Sequence, residues 1–451
     1  MKKRRRGRVS LGTICMLLLT GIVLASCVCF LSVIAGHDVY ERTGEYIRML
    51  SEEGIFQQMG PLQVMPSPTR KITFIEDTPP PASLATPTPI PEKRTITMAV
   101  GGTVYAPKAV RQGAKSGARF DFTSAFDGLS GVLREADLAM ATLETLTAGE
   151  SLGYGNYNTP PEILDALRSS GVDLVALATE HALDLGYQGM DITISELTSR
   201  GLAYAGVNPD GRSGSRATMM SIGGIQVAVL NYTYGLSEAG NQKTKQDSRG
   251  VVARIDTDAM IQDVKQARVD GANLVIVLPH WGTKNKQDTA DTLQILASEL
   301  AKAGADVILG SHSNVVQGTQ RLKVTRSDGL EYDAIVCYSL GSLLTDSRTA
   351  ENTAGMIAQI DVTYDPVTRR TTLGELNCIP VYVASQREDG KTVYRAVNAG
   401  DETALEQLEK SEREKAAQAE EMVMRASQMP DSDSGEEERK GKLETVSGGR
   451  G

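Results

Sequence analysis

Histidine and cysteine are scarce in this chain of 451 residues, and its 47 basic side chains are outnumbered by 56 acidic ones. Five cysteines occur, and three of them (Cys15, Cys27 and Cys29) fall in one uncharged apolar run. Only Cys337 and Cys378 remain, in VCYSL and LNCIP, so a disulfide-dense scaffold is excluded and at most one bridge is open to the rest of the chain. Both flanks read as strands, which favours two buried thiols over that bridge. The first eight residues, MKKRRRGR, hold six positive side chains. Setting those six aside takes the formal net charge from −9 to −15 for the remainder. That balance argues against nucleic acid or anionic lipid as a partner of the main body. There is one tryptophan and there are four histidines, so where these few side chains fall carries information.

Residues 9–36, VSLGTICMLLLTGIVLASCVCFLSVIAG, contain no charged side chain and are long enough as a helix to cross a hydrocarbon layer of roughly 30 Å. The basic cluster at 1–8 predicts a cytoplasmic start, leaving everything after residue 37 outside the cell membrane. A cleaved signal peptide and a lipoprotein with lipid on Cys27, after the LASC box at 24–27, are the alternatives to this signal anchor. The apolar run continues beyond Cys27, where a lipoprotein normally turns polar. Residues 37–91 read as an extracytoplasmic spacer, since nine of the 17 prolines lie between 61 and 91 and leave no room for a helix or an interior strand. At the other end, 402–426 favours a charged helix and the remainder to 451 reads as a disordered tail with little to bury.

Between 92 and 400 the pattern is apolar run, polar tip, helix-like segment. TITMAVGG, DLAMATLE, VDLVALATEH, ANLVIVLPHWG and ADVILGSHS supply short runs. PEILDALRSSG, YQGMDITISELTSRG, DTDAMIQDVKQARVDG and DTADTLQILASELAKAG supply the helices. This alternation predicts crossover units and a largely parallel sheet. After about residue 315 the helices stop, and five segments from VVQGTQRLKV to KTVYRAV read as antiparallel strands. The result is a mixed α/β domain with a strand-rich second half.

All three histidines in this body follow apolar runs, in LATEHALDLG, IVLPHWG and VILGSHSN. Glu144, Glu180, His181, His280 and His312 therefore sit at the carboxyl ends of expected strands, where ligand and metal sites form in α/β sheets. The sequence predicts one shared, solvent-reachable crevice. Asp184 and Gly186 are expected to shape the turn after His181. Asn231 and Tyr232 follow IQVAVL and are candidates to line the same crevice.

With those blocks in view, the chain resembles the CapA family, the capsule or poly-gamma-glutamate biosynthesis proteins grouped with calcineurin-like metallophosphoesterases. ITMAVGGTV, ADLAMATLET, LATEHALDLGYQGM, LPHWGTKNK, GADVILGSHSNVVQG and YSLGSLL carry the resemblance. It implies a four-layer α/β/β/α metallophosphoesterase-like sandwich, here preceded by a single transmembrane helix, with divalent metals at the strand-end loops. The chain departs from the family pattern at several positions. Gly102 stands where a metal-binding Asp is usual, leaving a gap in the ligand set. Thr142 replaces an Asn, Thr179 and Glu180 replace Asn-Asn, Lys284 stands in place of an acidic residue, Asn314 in place of a histidine, and Ser342 in place of an Asn.

Lost ligands and an added lysine reduce the negative charge that a two-metal cluster needs. The resemblance then implies one divalent metal (Zn, Mn or Fe) held by Glu144, Glu180, His280 and His312, or no metal. His181 would be the catalytic proton donor, and Lys284, Trp281, Asn314 and Asn231 would meet the substrate. Three functions stay open. One is a membrane-anchored accessory protein of capsule or poly-gamma-glutamate synthesis, in contact with an anionic surface polymer and other capsule-synthesis membrane proteins. Another is a metal-dependent hydrolase of phosphoesters or polymer amide bonds. The third is a sugar- or peptide-binding module that retains only the scaffold.

Overall fold

A computed structural model of the chain describes residues 91–211, 216–325, 329 and 331–428. The expected anchor at 9–36, the spacer up to residue 90 and the tail beyond 428 lie outside the described residues. Among the described residues no helix is long and apolar enough to cross a membrane.

In chain order the first strands are β1 (Arg94–Val104), a small hairpin of β2 (Lys115–Ser116) and β3 (Arg119–Phe120), β4 (Leu138–Leu143), β5 (Leu174–Ala176) and β6 (Ala203–Ala205). Then come β7 (Thr218–Ile222), β8 (Ile225–Thr233), β9 (Leu274–His280), β10 (Val307–Leu309), β11 (Thr319–Thr325) and β12 (Glu331–Cys337). Last are β13 (Ser342–Leu344), β14 (Ala354–Asp365), β15 (Arg370–Glu388) and β16 (Lys391–Asn398). One sheet has the order β16-β15-β14-β1-β4-β5-β6, with β13 beside the end of β1; the other runs β11-β12-β10-β9-β8-β7. β1, β4, β5 and β6 are parallel, as are β8, β9, β10 and β12. The expected antiparallel half is present in β14, β15 and β16. β12 is the exception: it pairs antiparallel with β11 but parallel with β10.

Period-two alternation builds the layers. Met98 and Val100 of β1, Leu138 and Met140 of β4, Val227 and Val229 of β8, and Leu274 and Ile276 of β9 all point into one buried cluster between the sheets. Their neighbours Ala99, Ala139 and Ala141 face a second cluster, which holds Ile163, Leu164 and Leu167 of the helix Glu162–Ser170. On the far side, Ala228, Val275 and Val277 meet Met260, Val264, Leu296 and Leu300 of the helices Thr257–Val269 and Asp291–Ala303. Strands apolar on both faces need cover on both faces. Helices outside two stacked sheets supply it, and the expected four-layer α/β/β/α arrangement results.

Two expectations meet the structure differently. Cys337 and Cys378 are free and buried, both in the core between the sheets, as strand-borne thiols should be. The charged C-terminal helix, by contrast, is not a solvated appendage. The helix Lys410–Ala426 lays Ala416 and Ala419 against Tyr382, Ala384 and Val397, and Val423 reaches the core between the sheets. Buried Glu412 accepts hydrogen bonds from the Tyr382 hydroxyl at 2.8 Å and the Ser385 amide at 2.9 Å. A boundary at residue 400 therefore cuts through packed structure. The small apolar stripe of Ala and Val was masked in sequence by the charged residues around it.

Candidate functional site

β5 ends at Ala176, and the segment 177–186 then folds into successive tight turns. Ala182 N bonds Thr179 O at 3.3 Å, Asp184 N bonds His181 O at 3.2 Å, and Gly186 N bonds Leu183 O at 2.8 Å. Gly186 takes a φ of 67°, a left-handed conformation open to glycine without strain. These turns hold Glu180 and His181 at the carboxyl edge of the first sheet. His280 is the last residue of β9, and Ser311 N bonds Pro279 O at 2.9 Å, which keeps the segment after β10 beside it. His312 sits at a φ of 93°. A non-glycine residue there is strained, and such strain concentrates at functional sites.

The five strand-tip residues do converge, with Glu180 at the centre. Its Oε2 lies 2.8 Å from His312 Nδ1 and 3.8 Å from His280 Nε2, and it accepts a hydrogen bond from the Tyr234 hydroxyl at 2.6 Å. Its Oε1 lies 2.5 Å from Lys284 Nζ and 3.1 Å from His181 Nε2. The His312 and His280 rings meet at 3.2 Å between Nδ1 and Nε2, and His280 Nδ1 contacts Ser311 Oγ at 2.9 Å. His181 Nδ1 contacts Asp184 Oδ2 at 2.7 Å, while Tyr157 stacks on the His181 ring with centroids 3.3 Å apart. The cluster is buried rather than an open crevice: Glu144, Glu180, His280 and His312 are each at most 4% exposed.

Donor atoms of Glu144, Glu180 and His181 all lie within 4.8 Å of one another, and so do those of Glu180, His280 and His312. The arrangement is thus two triads sharing Glu180, rather than the single set of Glu144, Glu180, His280 and His312 expected from the resemblance. His181, expected only as a proton donor, falls among potential ligands. The two triads differ in satisfaction. In the second, imidazoles and carboxylate already contact each other. In the first, Glu144 Oε2 and His181 Nε2 are buried without a hydrogen-bond partner; the 3.1 Å approach of Nε2 to Glu180 lacks hydrogen-bonding direction. Buried polar atoms are rarely left so. A carboxylate and an imidazole pointing at shared space fit a divalent cation such as Zn, Mn or Fe, so the residues present suit one metal in the first triad.

The electrostatics follow the geometry. Burial, and then the neighbouring Glu180 charge, push the Glu144 carboxyl up to about 7. Burial opposes ionisation of Glu180, but the imidazoles of His181, His280 and His312 and the Lys284 ammonium gathered around it outweigh burial and hold its pKa far below the usual range. Burial lowers His280 to about 4. For His181, burial is outweighed by Asp184 and Glu180, and the pKa is raised.

Other expected site residues do different work. Trp281 is 1% exposed, donates its indole N–H to Tyr338 O at 2.8 Å and sits in the outer core of the second sheet. It supports the cluster from beneath and cannot reach a substrate. Asn231 is equally buried, accepting from Ala178 N at 2.6 Å and donating to Leu278 O at 2.6 Å. It ties the two sheets together behind the site. Asn314 is half-buried at a φ of 59°. Gly102 leaves no gap: a Cβ there would lie 2.3 Å from Gly341 O, because Thr103 N bonds that same carbonyl at 2.9 Å. Sequence reading missed Tyr157 and Tyr234. Tyr234 stands just past the end of β8, the same strand-tip signal that marked the histidines, whereas nothing in GYGNYN singles out Tyr157.

Comparison with known proteins places the chain in a family. Residues 97–347, more than half of the chain, match the family described as bacterial capsule synthesis protein PGA_cap. The chain is 27% identical over 188 residues to the capsule biosynthesis protein CapA of Bacillus anthracis, a match covering 41% of this chain and 43% of that protein. It is 27% identical over 192 residues to the PGA biosynthesis protein CapA of Bacillus subtilis, covering 42% and 47%. The matches thus span less than half the length of these relatives. Among solved structures, a calcineurin-like phosphoesterase YfkN from Bacillus subtilis aligns at 12% identity with a TM-score of 0.38, covering 73% of this chain and 100% of that one, a likeness too slight to carry function. On the extent of the sequence match, the chain belongs to the PGA_cap family of bacterial capsule synthesis proteins.

Proposed function

We propose that this protein serves the synthesis of an anionic surface polymer, capsule or poly-gamma-glutamate, as an accessory protein anchored in the cell membrane by residues 9–36. Its α/β domain lies outside the cytoplasm, holds one divalent cation and handles the polymer, in contact with other membrane proteins of capsule synthesis. Family membership and the names of the Bacillus relatives support the process. One observation carries the cation: Glu144 Oε2 and His181 Nε2 are buried, unpartnered and grouped with Glu180. Burial of such atoms is costly unless something completes them.

A second reading, a metal-dependent hydrolase of phosphoesters or polymer amide bonds, is favoured by the His181–Asp184 contact. A bound cation supplies Lewis acidity that stabilises developing negative charge. Asp184 fixes the imidazole through Nδ1, so His181 presents Nε2 to the cluster and can hold or give a proton there. Lys284 and Tyr234, each in contact with Glu180 and partly exposed, cover the cluster from the solvent side, and in this reading Asn314 meets the substrate.

The experiment is metal analysis of full-length protein purified without chelator, together with complementation of cells lacking the gene. One cation per chain, and surface polymer restored by the native chain but not by Glu180→Gln, is the expected result. Full restoration by Glu180→Gln together with no bound cation would overturn the reading. Phosphate or new amine released from polymer by the purified protein would favour the hydrolase.

A further inference from the structure

Lys284 brings a basic side chain to the Glu180 cluster. Its ammonium lies 2.5 Å from Oε1 of Glu180, a carboxylate whose side chain is 6% exposed. Its placement is fixed by the loop that carries it. Asn285 N bonds Ser313 O at 2.7 Å, Asn352 Nδ2 donates to Asn285 Oδ1 at 2.7 Å, and Gln317 Nε2 donates to Lys286 O at 2.8 Å. The two residues that follow Lys284 are thus held in place, and its side chain, 39% exposed, turns in to Glu180. The ammonium meets Glu180, which is grouped with Glu144 in the triad that fits a cation.

A buried carboxylate without a counter-charge is strongly destabilising. Here one unit of positive charge is covalently supplied at the oxygen a metal would also need. Resting on the reading of this triad as a cation site, we propose that Lys284 is the resident cation of the cluster. Its ammonium balances Glu180 when no metal is bound and competes with a divalent cation for Oε1. A metal entering the triad must displace the lysine toward solvent, so cation binding is weaker than the ligand set alone allows.

The test uses full-length protein, with Mn2+ as the probe. Lys284→Met should melt at a lower temperature than the native chain in chelator, and should bind Mn2+ at a concentration about tenfold lower or more, since a competing unit charge at contact distance is gone. Lys284→Arg, which keeps the charge, should stay near the native chain in both. A double variant, Glu180→Gln with Lys284→Met, should recover much of the melting temperature lost by Lys284→Met in chelator, because both charges leave together. An unchanged melting temperature and an unchanged Mn2+ midpoint in Lys284→Met would overturn the proposal. So would a double variant no more stable than Lys284→Met, which would mean the lysine acts through packing. Failure of Mn2+ to bind either protein removes the cation reading of the triad and the competition with it, while the melting comparison in chelator decides the counter-ion role by itself.

Discussion

Asp184 Oδ2 lies 2.7 Å from Nδ1 of His181, and this one contact fixes which imidazole nitrogen faces Glu144 and Glu180. Asp184 Oδ1 in turn accepts the hydroxyl of Ser237, so the carboxylate is itself held in place. A histidine oriented in this way by a carboxylate keeps its tautomer and gains basicity.

Asp184→Asn keeps the shape of the turn and removes the charge. Burial opposes protonation of His181, and the Asp184 carboxylate is the foremost group that outweighs it. The His181 pKa should therefore fall in this variant. Proton NMR of the imidazole signals against pH reads it directly, with only four histidines to assign. An unshifted His181 would mean that Glu180 and Glu144 set its charge without Asp184.

Glu144 gives a pH dependence with a definite sign. Burial, then Glu180, raise its pKa from 4.5 to about 7 in the folded chain, so between these values the folded state holds a proton that the unfolded state has released. Its contribution to stability is complete below pH 4.5 and is lost as pH rises through 7, by about 3 kcal/mol in the metal-free protein. Glu144→Gln removes that loss. Urea unfolding at pH 5 and pH 7.5 in chelator should show the variant losing less stability than the native chain between the two. Parallel losses would place the raised pKa elsewhere.

What the sequence made legible was periodicity. Val227 and Val229 against Ala228 and Leu230 divide between two cores, and a period of two reports that division without a structure. Strand tips were legible for the same reason, so Glu144, Glu180, His181, His280 and His312 could be placed together. The division into two triads was not, because it depends on how turns at 177–186 rotate two adjacent side chains. Trp281 and Asn231 misled because a strand-tip position does not say which face of the sheet a side chain takes. Gly102 misled because the atom that fills its place, Gly341 O, is backbone from 239 positions further along the chain, and backbone has no signature in sequence.

That close approach yields its own test. A Cβ at 102 would stand 2.3 Å from Gly341 O and 2.8 Å from Leu340 O, and neither carbonyl belongs to a flexible side chain. Gly102→Ala should cost about 1–3 kcal/mol of stability by overpacking, and Gly102→Asp more, since its carboxylate would also need a partner there. Neither should tighten metal binding. The urea midpoint checks the first claim, and a Mn2+ titration the second. A Gly102→Asp chain of native stability that binds metal more tightly would show that the β1 and β13 backbones part easily.

The C-terminal helix supplies the last prediction. Ala416, Ala419 and Val423 are each at most 1% exposed, and Glu412 is 4% exposed with hydrogen bonds from Tyr382 and Ser385. Ending the chain after residue 400 would uncover Tyr382, Ala384 and Val397 and leave the Tyr382 hydroxyl without its acceptor. Lost apolar burial and two hydrogen bonds to a charged group together cost on the order of 3–5 kcal/mol. The truncated chain should melt well below the full one, and a chain ended after Gln428 should melt with the full one, since the sequence beyond it offers little apolar surface to bury. Glu412→Ala in the full chain separates the polar from the apolar part: it should lose a smaller share, because the helix still covers the sheet. Equal melting of the full chain and the chain ended at 400 would mean that the helix rests on the sheet without stabilising it.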